Sequence, residues 1–330
     1  VAKSIKIKFI DKFIDALGYL EGAYSLVALT NKKLIGARDP LGIRPLVLGK
    51  LEKSYILASE TCALDIIGAE FVREIENGEV IVITDDGIES YFPFPKQSPR
   101  PCIFEYIYFA MPHSIIGGKS VYAIRKQLGY ELSKEDDISA DIVVPVPDSG
   151  VPAALGYSEG SKINFDYGLI RNHYVGRTFI EPTQNIRQFG VKLKHSVNRS
   201  CIKNKKVILI DDSIVRGTTA NKIVSMVFEA GAKEVHLGIS CPPIKFPDYY
   251  GIDTPNYNEL IASNNDISSM TKIVGATSLF FLSLTGTYKA MGYNDRDQIN
   301  PQFSDHCFTG DYPIDIKEIL KSKHNDDKRK

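Results

Sequence analysis

The sequence carries no excess charge of either sign, with 40 Lys and Arg against 40 Asp and Glu. That balance removes any global electrostatic argument for nucleic acid or an anionic membrane as a partner, so anion binding must be local. Cysteine is scarce. Cys62, Cys102, Cys201, Cys241 and Cys307 make an odd set with no CxxC pair. This excludes a disulfide framework and the spacing of a zinc or iron–sulfur site, and leaves reduced thiols as the expectation. No apolar run approaches the length of a membrane span, no signal peptide opens the chain, and no internal repeat is present, so a cytoplasmic protein is expected.

What is present is ordinary in bulk and specific in detail. At 330 residues, 43% hydrophobic and 24% charged, the chain is long enough for about two domains with separate cores. It opens at Val1 and enters at once a helical pattern of Ile10, Phe13, Ile14 and Leu17, from which an incomplete first domain is expected. Short antiparallel strands follow. Tyr24–Thr30 and Leu34–Arg38 flank a polar Asn31-Lys32-Lys33 turn, then come Pro45–Leu48, Tyr55–Ala58, Glu79–Thr84 and Ile88–Tyr91. Four prolines between Phe92 and Pro101 can continue neither sheet nor helix, and mark a boundary between a domain over 1–98 and another over 101–312. A polar tail over 313–330 closes the chain, expected to be disordered from Lys321.

Beyond Pro101 the rhythm becomes α/β. Val121–Leu132 has a helical period, Ile142–Val146 is a short apolar run, and a helix is expected from Val151. Val207–Ile210 is a continuous β-branched and leucine run, as expected of a strand buried on both faces of a parallel sheet. A helix through Ile223, Val224, Val227 and Phe228 closes at Gly231, and Glu234–Ile239 is the next strand.

The chemistry is concentrated in Val207-Ile-Leu-Ile-Asp-Asp-Ser-Ile-Val-Arg-Gly-Thr-Thr219. The strand delivers Asp211 and Asp212 to its carboxyl end, where open α/β sheets bind ligands. Ser213, Ile214, Val215, Arg216, Gly217, Thr218 and Thr219 then loop into a helix N-terminus. Its N–H groups and hydroxyls make a phosphate cradle. Two carboxylates beside such a cradle repel a phosphate alone, and make sense if the ligand also offers hydroxyls and a divalent metal. A ribose 5-phosphate fits. A plain helix N-cap after a strand is the bland alternative.

This segment resembles the phosphoribosyl pyrophosphate (PRPP) signature of type I phosphoribosyltransferases. The wider wording resembles the glutamine PRPP amidotransferase family. The carrying stretches are Glu105-Tyr-Ile-Tyr-Phe109, Val146-Pro-Asp-Ser-Gly150, Arg171-Asn-His-Tyr-Val-Gly-Arg-Thr-Phe-Ile180, Tyr250-Gly-Ile-Asp253, Arg38-Asp-Pro-Leu-Gly-Ile-Arg-Pro-Leu46 and Ala58-Ser-Glu-Thr-Cys62. The resemblance implies a type I phosphoribosyltransferase parallel sheet with flanking helices, preceded by part of an αββα N-terminal-nucleophile glutaminase domain. It implies that Asp211 and Asp212 hold the ribose hydroxyls and, with Ser149, magnesium. It assigns Ser213–Thr219 to the 5-phosphate and Asp148, Ser149 and Gly150 to the pyrophosphate. Arg171–Lys194, with Tyr174 and Arg177, resembles a loop that closes over PRPP. Breaking the C1–O bond leaves a polyanionic pyrophosphate, which magnesium and Arg171, Arg177, Lys192 or Lys194 would neutralise; an exposed surface charge is the competing reading for Lys192 and Lys194.

Further expectations follow from the resemblance. The family's glutaminase uses an N-terminal cysteine, and Val1 stands first here, so this chain by itself is expected to use ammonia and not glutamine. Cys102 falls at one ligand position of the iron–sulfur branch, Asp248 at another, and Pro301-Gln-Phe-Ser304 lacks the final pair, so no cluster is expected. Purine nucleotides as inhibitors and a homo-oligomer are implied by family. Gly117-Gly-Lys-Ser120 is expected to be a turn and no P-loop, and Tyr106, Tyr108 and Phe109 to be core or interface packing. A non-catalytic PRPP or nucleotide sensor, a decaying remnant and a purine-base salvage enzyme are the alternatives to an amidophosphoribosyltransferase reaction.

Overall fold

The computed structural model describes residues 1–172, 195–254 and 256–316. Tyr174, Arg177, Lys192, Lys194 and the tail from Lys321 lie outside the described residues.

In the first half, alternation of apolar residues builds four layers. Strands β1 (Ser25–Leu29), β2 (Leu34–Arg38), β6 (Val80–Thr84) and β7 (Gly87–Tyr91) form one antiparallel sheet in that order. β4 (Ser54–Ala58), β3 (Val47–Leu51) and β5 (Glu70–Glu74) form a second. Successive strand residues face opposite sides. Ile35, Ala37, Val80 and Val82 therefore pack on Ile10, Phe13 and Leu17 of helix Phe9–Leu17. Ile81 and Ile83 meet Leu46, Leu48 and Ile75 between the sheets. Val47, from the other face of β3, packs on Leu64 of helix Thr61–Ile67. The order helix, sheet, sheet, helix is the expected αββα arrangement. Cys62 is buried on that second helix.

The stretch from Phe92 to Pro101 contains neither helix nor strand. A π-helical turn, Glu105–Phe109, follows. Next comes a small hairpin, β8 (Ile115–Ile116) and β9 (Lys119–Ser120), turning through Gly117 and Gly118. The glycine-rich stretch is thus a turn, as its sequence indicates. Helix Val121–Leu132 and helix Val151–Ser161 flank β10 (Ile142–Pro145). β11 (Leu169–Arg171) pairs antiparallel with β12 (His195–Val197). β13 (Lys206–Asp211), β14 (Glu234–Ile239) and β15 (Ser278–Phe281) complete a parallel sheet ordered β10-β13-β14-β15. Val207, Ile208, Leu209 and Ile210 have no exposed surface, as their unbroken apolar run requires.

The halves are held together by Leu41 and Ile43, which pack in the core of the second half, and by polar contacts. Glu60 accepts from Met111 N and Ser114 Oγ, both at 2.7 Å, and Thr61 Oγ1 accepts from Ile115 N at 2.9 Å. Cys102 N donates to Ile43 O at 3.1 Å. Beneath this seam lies a buried chain. Ser304 Oγ meets His306 Nδ1 at 2.9 Å, and His306 Nε2 meets Asp248 Oδ2 at 2.7 Å. Asp248 Oδ1 accepts from Tyr250 N and Ile252 N, each at 2.7 Å. Burial raises the Asp248 carboxyl, but the His306 contact and these two N–H groups outweigh it and hold it below the ordinary carboxylate value. A depressed folded pKa gives stability that is complete above the unfolded value of about 4 and is lost as pH falls through the folded one. Asp248→Asn is therefore expected to cost about 3 kcal/mol near neutrality. In thermal melts from pH 7 to pH 3, the advantage of the parent chain should persist to below about pH 4 and then shrink.

Candidate active site

Two strand-to-helix turns lie side by side at the carboxyl ends of β10 and β13. Val146 N donates to Ile210 O at 2.9 Å, which locks the first turn to the second strand. Pro147–Gly150 then leads into helix Val151–Ser161, with Gly150 N closing on Val146 O at 3.0 Å. Gly150 is required by space. A Cβ there would lie 2.4 Å from Ile210 O and 2.8 Å from Val146 O, both backbone atoms that cannot turn aside.

The second turn begins where β13 ends. Asp212 N donates to Asp211 Oδ1 at 2.9 Å, and Ser213 Oγ donates to Asp212 Oδ1 at 2.6 Å. Gly217 stands at φ +77 immediately before helix Thr218–Glu229, in the left-handed region that glycine enters without strain. The first N–H groups of that helix have no intrahelical acceptors, and Thr218 and Thr219 are exposed around them. Arg216 is ion-paired to Glu259, with Nε 2.7 Å from Oε2.

The electrostatics of the carboxylate pair are unusual. Desolvation pushes Asp211 well above the ordinary carboxylate range, and the neighbouring Asp212 adds to the rise. Burial also raises Asp212, which is 5% exposed. Hydrogen bonds from Ser149 and Ser213 and the charge of buried Arg125 partly offset that. Among the described residues no cation forms an ion pair with either aspartate, and no cluster of three His, Cys, Asp or Glu side chains offers a metal site by itself. The pair is a set of hard oxygen donors with no ion-pair partner, only partly offset by Ser149, Ser213 and Arg125. Such a set suits magnesium, which takes one or two protein carboxylates and completes its shell with water and substrate oxygens.

Both turns open into one cavity of about 470 Å³. Ser149, Asp211, Asp212 and the whole of Ser213–Thr219 line it. Its other side is apolar and includes Phe104, Tyr108, Phe109 and Ile252. Tyr106 is buried, with its hydroxyl 3.0 Å from Ile116 O. Phe109 packs on the core residue Phe104, ring centroids 5.9 Å apart, and lies under the Arg44 guanidinium, as expected of core or interface packing. Tyr108 and Phe109 also line the cavity, from a π-helical turn that the sequence did not signal.

Arg171 is the last residue of β11 and is ion-paired to Asp148. Its cross-strand partner His195 lines the cavity and places Nε2 3.3 Å from Pro147 O. Sequence reasoning missed His195 and Arg125, and it gave no individual role to Ile252, Asp253 or Thr254, which also line the cavity. Only the Tyr250-Gly-Ile-Asp253 wording could have drawn attention to the last group.

The fold and paired turns define a type I phosphoribosyltransferase domain, and the model of the phosphoribosyl transferase domain family matches residues 117–251. The glutamine amidotransferase domain model matches residues 4–65. An amidophosphoribosyltransferase of Rhizobium etli is 58% identical over 319 residues, covering 95% of this chain and 64% of the relative. That of Bacillus subtilis is 45% identical over 314 residues, covering 95% and 66%. A solved structure of the B. subtilis glutamine PRPP amidotransferase, complexed with ADP and GMP, superposes with a TM-score of 0.89 at 44% identity, covering 96% of this chain and 70% of that one. The chain belongs to the amidophosphoribosyltransferase family. It spans slightly less than two thirds of the length of the bacterial relatives named here. Among the described residues no helix is long and apolar enough to cross a membrane.

Proposed function

We propose that this chain catalyses phosphoribosyl transfer to ammonia, the committing step of purine synthesis: the ammonia nitrogen bonds to C1 of PRPP, the C1–O bond breaks with its electron pair leaving on pyrophosphate, and the nitrogen gives up one proton to solvent or pyrophosphate to yield 5-phosphoribosylamine. The observation that carries this reading is the Asp211–Asp212 pair, without an ion-pair partner, beside the Ser213–Thr219 cradle in one cavity. A ligand must bring both phosphate and hydroxyls or cation to such a site.

The residues divide the ligand between them. N–H groups and hydroxyls of Ser213–Thr219 receive the 5-phosphate, as a helix N-terminus favours a dianion. Asp211 and Asp212 accept hydrogen bonds from the ribose 2- and 3-hydroxyls. The Asp148-Ser149-Gly150 turn and the N-terminus of helix Val151–Ser161 take the pyrophosphate, and Arg171 is placed to exchange Asp148 for that anion. Asp211, Asp212 and Ser149 would hold magnesium, which when bound neutralises charge on the leaving group. Phe104, Tyr108, Phe109 and Ile252 keep water from the reacting carbon, which limits hydrolysis. Purine nucleotides are proposed as inhibitory ligands, since the solved relative is complexed with ADP and GMP; a cytoplasmic homo-oligomer is proposed from the family resemblance alone.

Calorimetric titration with PRPP tests the binding half. Magnesium-dependent, saturable binding that ribose 5-phosphate displaces is expected. No heat at millimolar PRPP with magnesium would contradict the assignment.

A further inference from the structure

We infer that Arg44, which belongs to the amidotransferase-like half, is a positioning residue of the transferase site: one guanidinium joins the two elements that form the cavity wall. The inference rests on the transferase reading above and adds a residue to it.

The backbone of Arg44 is fixed within the first half. Its N–H donates to Asp39 Oδ2 at 3.2 Å, and its carbonyl accepts from Arg38 Nε at 2.8 Å. From this base the side chain crosses into the second half. Nη1 meets Glu105 Oε1 at 2.7 Å, at the start of the π-helical turn that carries Tyr108 and Phe109. Nη2 and Nε reach Tyr250 O at 2.8 and 3.2 Å, at the start of the segment that supplies Ile252, Asp253 and Thr254. The guanidinium also lies 5.3 Å from the centre of the Phe109 ring.

The Tyr250–Thr254 segment is gripped from two sides. Asp248 holds its N–H groups from within the transferase half, and Arg44 holds its first carbonyl from the other half. Gly251, at φ +113, permits the approach, since a Cβ there would stand 2.9 Å from Arg44 Nη2. A planar fork with several fixed donors can serve a carboxylate, a carbonyl and an aromatic face together. A lysine ammonium cannot reproduce that geometry. The pair with Glu105 is largely desolvated, with side-chain exposures of 18% and 9%, so the bridge is stiff where an exposed pair would be loose. Through this bridge the first half sets the distance between the aromatic wall and the Ile252–Thr254 wall.

The test uses the full chain with Arg44→Met, Arg44→Ala and Gly251→Ala beside the parent. PRPP affinity is measured by calorimetry, and the ammonium-dependent reaction is resolved into kcat and the two KM values. Expected for Arg44→Met and Gly251→Ala is a fall of about tenfold or more in kcat/KM for PRPP, with KM for ammonium within about twofold. Low-millimolar guanidinium should restore part of the loss in Arg44→Ala, whereas methylammonium should not. PRPP affinity and kcat/KM within about twofold of the parent in both Arg44→Met and Gly251→Ala would overturn the inference. If Arg44→Met does not fold, Arg44→Lys, which keeps the charge and loses the planar fork, carries the decision by the same kcat/KM criterion, because Gly251→Ala also strains the backbone at φ +113. Failure of the parent chain to bind PRPP would overturn the transferase reading itself, and is distinguished by requiring no variant.

Discussion

Asp211→Asn is expected to lower ammonium-dependent phosphoribosylamine formation by about 10²–10³-fold without loss of thermal stability. The two parts of that expectation share a cause. Asp211 stands beside Asp212 in a desolvated setting that raises its carboxyl well above the usual range. Its ionised form is therefore held at a cost to folding that only a cation or hydroxyl-bearing ligand relieves. The amide removes the repulsion and keeps the shape, while its NH₂ offers a donor where the ribose hydroxyl needs an acceptor. A raised folded pKa contributes stability at low pH that is lost as pH rises through it. The stability gain of the variant should consequently be largest near and above neutrality and vanish in acid. Steady-state assays and melts across pH 4–8 check both parts; a variant with parent-level turnover would sink the role of the pair.

Gly150→Ala is the second large effect. Its Cβ would meet Ile210 O and Val146 O at 2.4 and 2.8 Å. Relief requires β10 and β13 to part at the bond from Val146 N to Ile210 O, which sets the spacing of the two ligand turns. A cost of about 1–3 kcal/mol in stability is expected. Weaker PRPP binding by about 100-fold should accompany it, because both turns would move relative to each other. Gly160→Ala, on the same helix, is the control. Its nearest obstacle is the Ser133 Oγ side-chain atom, which can rotate away, so PRPP binding should be retained. Equal loss of PRPP affinity in the two variants would show that the turn spacing is not what matters.

How far the molecule was legible in its sequence depended on whether the signal was local. The Val207–Ile210 run, the Asp211–Asp212 pair and Gly217 before a helix are local, and β13 and the turn into helix Thr218–Glu229 stand where the pattern puts them. Alternation likewise placed β2, β4, β6 and β7 within a residue or so. Helix Thr61–Ile67 and β5 escaped. The helix is a short seven-residue element, and β5 is largely exposed and alternates poorly. The aromatic wall escaped because a π-helical turn has no periodic signature. Arg44 was invisible in principle: it sits 206 residues from Tyr250, and nothing local in either segment states that they meet.

The central claim is that this chain makes a C–N bond at C1 of PRPP. The most direct measurement follows pyrophosphate release by the purified chain with PRPP and magnesium, with and without ammonium. The account predicts release that depends on ammonium and is matched by formation of 5-phosphoribosylamine. A chain that binds PRPP under the same conditions, yet releases no pyrophosphate when ammonium is added, would contradict it.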